Sequence, residues 1–212
     1  MSGPLGVVAA TLAGYLLGAI PFGLIVGRLA GGVDLRRVGS GRTGATNALR
    51  SIGARGAALV FVLDLGKGLA AVLLSAALYQ AGPAGSAAWV AAIAGFAAVV
   101  GHVWSVFIRF SGGRGVATST GALLGMAPLA LIFLVPMVVL LIWRSRYVSL
   151  GSVSAALVSP VVVAVLFALG VAPLAAIAYA LAAGLLVTFA HADNIARLRA
   201  GTERRLGQRE KV

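Results

Sequence analysis

The chain has 212 residues, is 60% hydrophobic and has only 10% charged residues, 17 basic against 5 acidic, for a net charge of +12. Soluble domains carry about 25% charged residues, so this composition excludes an ordinary soluble protein and describes a membrane-embedded one. The absence of cysteine excludes disulfides, thiolate metal sites and cysteine nucleophiles, and two histidines far apart in sequence argue against a His-rich metal centre.

Taken in chain order, the blocks 1–27, 68–108, 115–143 and 147–192 contain no Lys, Arg, Asp or Glu. Apolar runs predict spans near 4–29, 57–80, 87–107, 148–169 and 171–190. The first run lacks a basic segment ahead of it and reads as a retained span rather than a secretory signal. Block 116–143 is long for one crossing, and Pro128, shortly after Gly125, predicts a break into two short helices. Charge decides between one crossing and two. If the block crosses twice and the N-terminus lies outside, every basic loop falls on the cytoplasmic side: 31–56, Arg109 to Arg114, Arg144 to Arg146, and the tail from Arg197 through Arg209 and Lys211. The uncharged turn Gly82-Pro83-Ala84-Gly85 then falls outside. The expectation is an all-α integral membrane protein. It is a seven-helix transmembrane bundle with N-terminus outside and C-terminus cytoplasmic, with a short helix pair around Pro128. A re-entrant pair gives the same sidedness. Residues 1–212 form a single membrane-embedded domain, with order to about Glu203 and a disordered tail over 204–212. The basic surplus reads as orientation and contact with the anionic inner leaflet, not nucleic-acid binding.

Three of the basic segments share a composition. The first, Gly39-Ser40-Gly41-Arg42-Thr43-Gly44-Ala45-Thr46-Asn47, runs on to Arg50. The second ends in Ser111-Gly112-Gly113-Arg114-Gly115-Val116. The third begins His191-Ala192-Asp193-Asn194 and reaches Glu203. Glycines let backbone N–H groups converge on an anion, Arg offers a bidentate fork for phosphate oxygens, and Ser, Thr and Asn add neutral polar groups. Gly112 to Gly115 run straight into an apolar stretch and so are expected at a helix N-terminus, where the dipole favours anions. Neither the first nor the second fits the nucleotide-binding pattern G-x-x-x-x-G-K-[ST].

Asp64 and Lys67 lie at i and i+3 within a predicted span and share a face. Their plainest reading is a mutually neutralising pair, with Lys67 reaching toward the interface. His102 reads as a general base or an interfacial hydrogen-bonding residue. His191 and Asn194 share a face if their stretch is helical. Trp89 and Tyr79 read as interface anchors.

These segments resemble the bacterial acyl-phosphate:glycerol-3-phosphate acyltransferase family, the PlsY type. The likeness rests on Gly39-Ser40-Gly41, Gly44-Ala45-Thr46-Asn47 with Arg50, Asp64 with Lys67-Gly68, Gly101-His102, Ser111 to Thr118, and His191 to Glu203, in that order along the chain. The resemblance implies an inner-membrane enzyme with cytoplasmic active-site loops. It would move a long acyl group from acyl phosphate to the 1-hydroxyl of sn-glycerol 3-phosphate, at the start of phospholipid synthesis, with no metal, coenzyme A or other cofactor. It implies catalytic roles for Ser40, His191 and Asn194. Substrate and phosphate contacts fall to Gly39, Gly41, Thr46, Asn47, Arg50, Lys67, Gly112, Gly113, Arg114 and Gly115. Four positions depart from the family's commoner residues: Arg42-Thr43 stands in place of Asn and an aliphatic residue, Ser105 in place of Pro, and Arg114 in place of Lys.

The chemistry is compatible with these residues. Two phosphorylated reactants suit basic Gly-rich loops, one of them an amphiphile suits a site at the membrane surface, and an activated donor needs alignment and charge stabilisation rather than a covalent intermediate. The hydroxyl proton goes to His191 or to a substrate phosphate oxygen, and the sequence does not choose. Rival readings are a transporter for a phosphorylated anion, a metal-dependent phosphotransferase, which three scattered aspartates serve poorly, and a membrane scaffold. Oligomeric state and acyl-chain length are not legible.

Overall fold

The computed structural model describes residues 3–79, 83 and 85–207. Arg209, Lys211 and, of the turn at Gly82 to Gly85, Gly82 and Ala84 lie outside the described residues. Among those described there is no strand, and the helices are α1 (Gly3–Ala19), α2 (Phe22–Gly31), α3 (Ala45–Leu78), α4 (Ser86–Val103), α5 (Val116–Met126), α6 (Ala130–Ser145), α7 (Val148–Ala168), α8 (Leu174–Ala190) and α9 (Ala192–Arg199), with a 3-10 turn at Val106–Ile108.

Four helical stretches are long and apolar enough to cross a membrane: Gly3–Gly31, Ala45–Leu78, Ser86–Ile108 and Val148–Ala168. The pair α8–α9, bent by 61°, makes a fifth when counted as one broken span. α5 and α6 are shorter apolar helices, and they meet at Ala127 to Leu129, the break expected at Pro128. At 1.5 Å per residue the 11 residues of α5 reach about 16 Å, roughly half the ~30 Å hydrocarbon core.

Two predicted elements differ from what forms. The first span is not one straight helix. Pro21 has no N–H to continue the ladder, so the run breaks between Ala19 and Phe22. The third helix starts at Ala45, far ahead of residue 57, because Ala45 to Ile52 contains good helix formers and no proline. Gly53, at φ +80°, then sets the first two turns at an angle to the rest. Those two turns carry Thr46, Asn47 and Arg50.

Lipid offers no hydrophobic force between helices, so close packing must do the work, and small residues make it possible. On α1 Gly6, Ala10, Gly14 and Gly18, one per turn, are buried along with Ala19 at its end, while Leu5, Val8, Leu12 and Leu16 face outward. A Cβ at Gly18 would strike the Ala98 carbonyl of α4, and one at Gly121 of α5 would strike the Leu65 carbonyl of α3. Large apolar residues such as Phe133, Leu140, Leu185 and Phe189 cover the outside, the inverse of a soluble surface.

Gly18→Ala and Gly121→Ala should therefore push two backbones apart and cost about 1–3 kcal/mol each. Gly66→Ala, whose Cβ would meet nothing within 4 Å, should leave stability unchanged or slightly raised. Thermal unfolding in detergent checks this, and equal melting points for all three would refute backbone contact as what holds the bundle.

Candidate active site

The three basic segments converge. A cavity of about 390 Å3 is walled by Gly39, Ser40, Thr46, Asn47 and Arg50 from the first, Arg114 and Gly115 from the second, and His191 and Asn194 from the third. Each comes from a helix end or the loop beside it. Ala45 and Thr46 open α3, and Val116 and Ala117 open α5, so two helix N-termini and their unpaired N–H groups face the same space. Gly115 caps α5 at φ +83°, a backbone state that L side chains avoid. Five arginines line the cavity (Arg42, Arg50, Arg114, Arg197, Arg204) against Asp64, Asp193 and Glu203, and Lys67 offsets Asp64 from outside the wall at 2.9 Å. The cavity is electropositive.

The third segment is organised by Glu203. Its Oε1 accepts from Ser149 Oγ and Asn194 Nδ2, each at 2.7 Å, and its Oε2 accepts from Arg197 Nε at 2.8 Å. Because a carboxylate only accepts, Asn194 must aim its amide nitrogen at Glu203. Its Oδ1 is left buried without a hydrogen-bond partner among the described residues. His191 Nδ1 lies 2.7 Å from the Val187 carbonyl and must donate to it, which leaves Nε2 as the ring's acceptor. Arg114 Nη2 is 2.7 Å from Asp193 Oδ2, which Arg197 also approaches at 3.3 Å. Arg114 Nε is buried with no partner among the described residues. The site thus holds an unused acceptor on Asn194 and an unused donor on Arg114.

Burial raises the Glu203 carboxyl, but hydrogen bonds from Asn194, Ser149 and Arg197 outweigh it and hold the group below its ordinary value. Asp193 is likewise raised by burial and lowered further by Arg114 and Arg197, with a net downward shift. Burial lowers the Arg114 guanidinium, with Asp193 opposing it. Among the described residues no three His, Asp or Glu side chains gather as a metal site would need.

Four residues expected at the site lie off its wall. Lys67 is buried beside Asp64 and donates to the Ile20 carbonyl at 3.1 Å, rather than reaching the interface. The Gly41 N–H is used on Val38, Gly112 N–H on the Val103 carbonyl and Gly113 N–H on the His102 carbonyl, each at 3.1 Å. Those three amides close turns instead of facing an anion. Asn47 lines the cavity but its amide is occupied: Nδ2 lies 2.8–3.1 Å from the carbonyls of Leu35, Val38 and Arg42, and Oδ1 accepts from Ser40 N–H. Its visible part is to shape the Ser40 loop. Conversely, Ser149 and Ser152 of α7 line the cavity unforeseen. Their i, i+3 spacing just after Arg144 and Arg146 was the available signal. The tail is held further than expected: Leu206 N–H donates to the Arg146 carbonyl at 2.6 Å, and the Arg205 guanidinium lies over the Tyr147 ring.

Fold and site together define an all-helical integral membrane protein with an electropositive pocket at its helix ends. The sequence profile described as glycerol-3-phosphate acyltransferase matches residues 8–201. The chain is 48% identical over 206 residues to a glycerol-3-phosphate acyltransferase of Synechococcus sp. (strain JA-3-3Ab), covering 97% of this chain and 96% of that one. It is 46% identical over 200 residues to glycerol-3-phosphate acyltransferase 2 of Moorella thermoacetica, covering 94% and 97%. Among solved structures it is similar to PlsY (YgiH), an integral membrane glycerol 3-phosphate acyltransferase. The glycerol 3-phosphate form aligns with a TM-score of 0.83 at 37% identity, covering 95% of this chain and 96% of that one, and the lysophosphatidic acid form with 0.82 at 35%, covering 95% of each. The chain belongs to the glycerol-3-phosphate acyltransferase family.

The depressed Glu203 and Asp193 carboxyls set the sign of an acid effect. Their contribution to stability is complete above the unfolded carboxylate values of about 4 and is withdrawn as pH falls below them. Glu203→Gln, which turns a donor toward Arg197, should cost about 1–3 kcal/mol at pH 7 and flatten the fall in melting temperature between pH 6 and pH 3. A variant as acid-sensitive as the parent would remove Glu203 from that role.

Proposed function

We propose that the chain transfers a long-chain acyl group from acyl phosphate to the 1-hydroxyl of sn-glycerol 3-phosphate, releasing lysophosphatidic acid and inorganic phosphate. One observation carries this reading. The electropositive cavity runs into a second, apolar cavity of about 270 Å3 between α5, α6, α7 and α8, and Phe61, Val116, Val138 and Ser152 belong to the walls of both. A phosphate site joined to an apolar slot suits an amphiphile whose reacting carbonyl sits at the junction. The related PlsY structures, described as glycerol 3-phosphate and lysophosphatidic acid forms, support the acceptor and the product.

In this reading Arg50 and Arg114 hold phosphates, with the N-termini of α3 and α5 adding partial positive charge. Asn194 Oδ1 and His191 Nε2 offer acceptors, so between them they receive the acceptor substrate's O–H and aim its oxygen at the acyl carbon. The C–O ester bond forms as the carbonyl–phosphate bond breaks, and phosphate leaves with the electron pair. The hydroxyl proton passes to His191 Nε2 or to a phosphate oxygen. Ser40, on the loop that Asn47 pins, adds a hydroxyl to a phosphate. Alignment and charge stabilisation supply the rate.

The proposal extends to topology. α3, α5 and α7 begin at the cavity, and α4, α6 and α8 end near it, since Val138 and Ile142 of α6 and Val148 of α7 stand in its wall. The α5–α6 pair thus leaves the cavity end and returns. Seven helices with the N-terminus outside put every basic loop on the cytoplasmic side of the bacterial inner membrane, and residues 1–212 act as one domain.

Purified protein in detergent, given palmitoyl phosphate and glycerol 3-phosphate, should release phosphate only when both are present. Ser40→Ala, Asn194→Asp and Arg114→Ala should each lower kcat/KM by about 10²-fold, about 2.7 kcal/mol, while Arg114→Lys stays within about tenfold, its charge kept. Folded parent protein that releases none would shift the reading to transport of a phosphorylated anion. His191→Gln should lose about 10²-fold in kcat and its acid limb. Near-parental turnover would assign the proton to a phosphate oxygen.

A further inference from the structure

Asp64, Lys67 and His102 form a buried charged trio that the chemistry above does not use. All three are at most 6% exposed. Asp64 Oδ1 is 2.9 Å from Lys67 Nζ and 3.5 Å from His102 Nδ1. A buried pair of this kind contributes little net stability, because desolvation offsets the attraction. Its presence calls for another explanation.

The surroundings provide one. Lys67 Nζ donates to the Ile20 carbonyl, which the break at Pro21 leaves outside the helical ladder, and lies 5.9 Å from the centre of the Phe22 ring. Gly23, one residue on, is packed so closely that a Cβ there would strike the Thr43 carbonyl of the Ser40 loop. On its other side the trio meets the second basic segment. The His102 carbonyl accepts from Gly113 N–H at 3.1 Å. A Cβ on Gly113 would collide with the His102 ring at Nε2, and one on Gly112 with the His102 carbonyl. The ring borders the cavity beside Asp64, with its Nδ1 turned to Asp64 and its Nε2 edge against Gly113. It is well placed to set the height of the segment that carries Arg114 one residue later.

We infer that His102, held by Asp64 and neutralised through Lys67, is a positioning residue that sets the Gly112–Arg114 segment against the α1–α2 break and so fixes the distance between the Arg114 and Ser40 loops. Lys67 and Gly113, expected at the phosphate from sequence, act here through packing. The inference rests on the acyltransferase reading, since it locates a phosphate-binding arginine for that reaction.

A double-substitution cycle tests it, read as separate kcat and KM values for glycerol 3-phosphate. His102→Ala should raise KM about tenfold or more, with kcat within about threefold. Gly113→Ala should do the same by forcing the segment off the ring. His102→Ala with Gly113→Ala together should be no worse than either alone, because the added methyl then occupies the space that the ring vacates. His102→Gln, which keeps a donor for Asp64 and part of the bulk, should recover most of the loss. Additive effects in the double variant, or losses confined to kcat, would overturn the inference. If His102→Ala does not run as a monodisperse species in detergent, Gly113→Ala and His102→Gln decide it: a parental KM in Gly113→Ala refutes the packing. A parent that releases no phosphate sinks the acyltransferase reading and this inference with it, whereas an active parent with unmoved KM in the variants sinks the inference alone.

Discussion

Inside a bilayer no water answers a backbone carbonyl that a helix leaves behind, and this constraint organises the protein. At the break by Pro21 the Ala19 carbonyl is taken by a buried side chain, and the Ile20 carbonyl, which accepts from Phe22 N–H at 3.0 Å, is taken by a second. Ser105 Oγ donates to the first at 2.5 Å and Lys67 Nζ to the second at 3.1 Å. Both partners come from other parts of the chain, Ser105 from just beyond α4 and Lys67 from α3, so satisfying the break also locks three elements together. Tyr15, reaching the Trp104 carbonyl at 2.9 Å, adds a further tie between α1 and the end of α4. The break then lets α2 turn aside, and the loop that follows it brings Ser40 to the cavity.

What the sequence made legible follows from this. Absence of charge over long blocks can only mean lipid-facing helices, and Pro128 can only interrupt one, so the all-helical class and the α5–α6 break were readable. Convergence of Ser40, Arg114 and Asn194 was readable too, because polar residues this scarce have few places to be useful. Pro21 was missed because apolar residues continue on both sides of it, and hydropathy is blind to a break whose carbonyls are answered from elsewhere. The early start of α3 was missed because Gly53 and five nearby arginines look like a loop, although a Gly can turn a helix without ending it.

The roles of individual polar residues were the least legible part, for a related reason. A glycine in a phosphate cradle and a glycine under a neighbouring ring read identically as letters. Gly112 and Gly113 belong to the second kind, with their N–H groups closed onto Val103 and His102. Asn47 has the composition of a ligand contact, yet its amide spans three loop carbonyls. Lys67 has the length to reach the interface, but its ammonium lies inside the bundle on the Asp64 carboxylate and the Ile20 carbonyl. Asn194, by contrast, has one end fixed by Glu203 and the other open, an arrangement only the three-dimensional contacts disclose.

The division between framework and reactive groups also explains where the cavity sits. Helix ends are the one place in a membrane bundle where unpaired N–H groups, arginines and apolar walls can coexist: the helix interior consumes its own N–H groups and lipid excludes the charge. α5 begins there at Gly115, and its side chains from Val116 to Leu123 then line the apolar cavity. A single helix thereby presents partial positive charge at its first turn and, over the next two, Ser119, Thr120 and Leu123, with both hydroxyls turned back onto the Val116 carbonyl. Headgroup and tail of an amphiphile differ along one axis in the same way, which is the fit that the proposed acyl phosphate donor relies on, while glycerol 3-phosphate needs only the electropositive end.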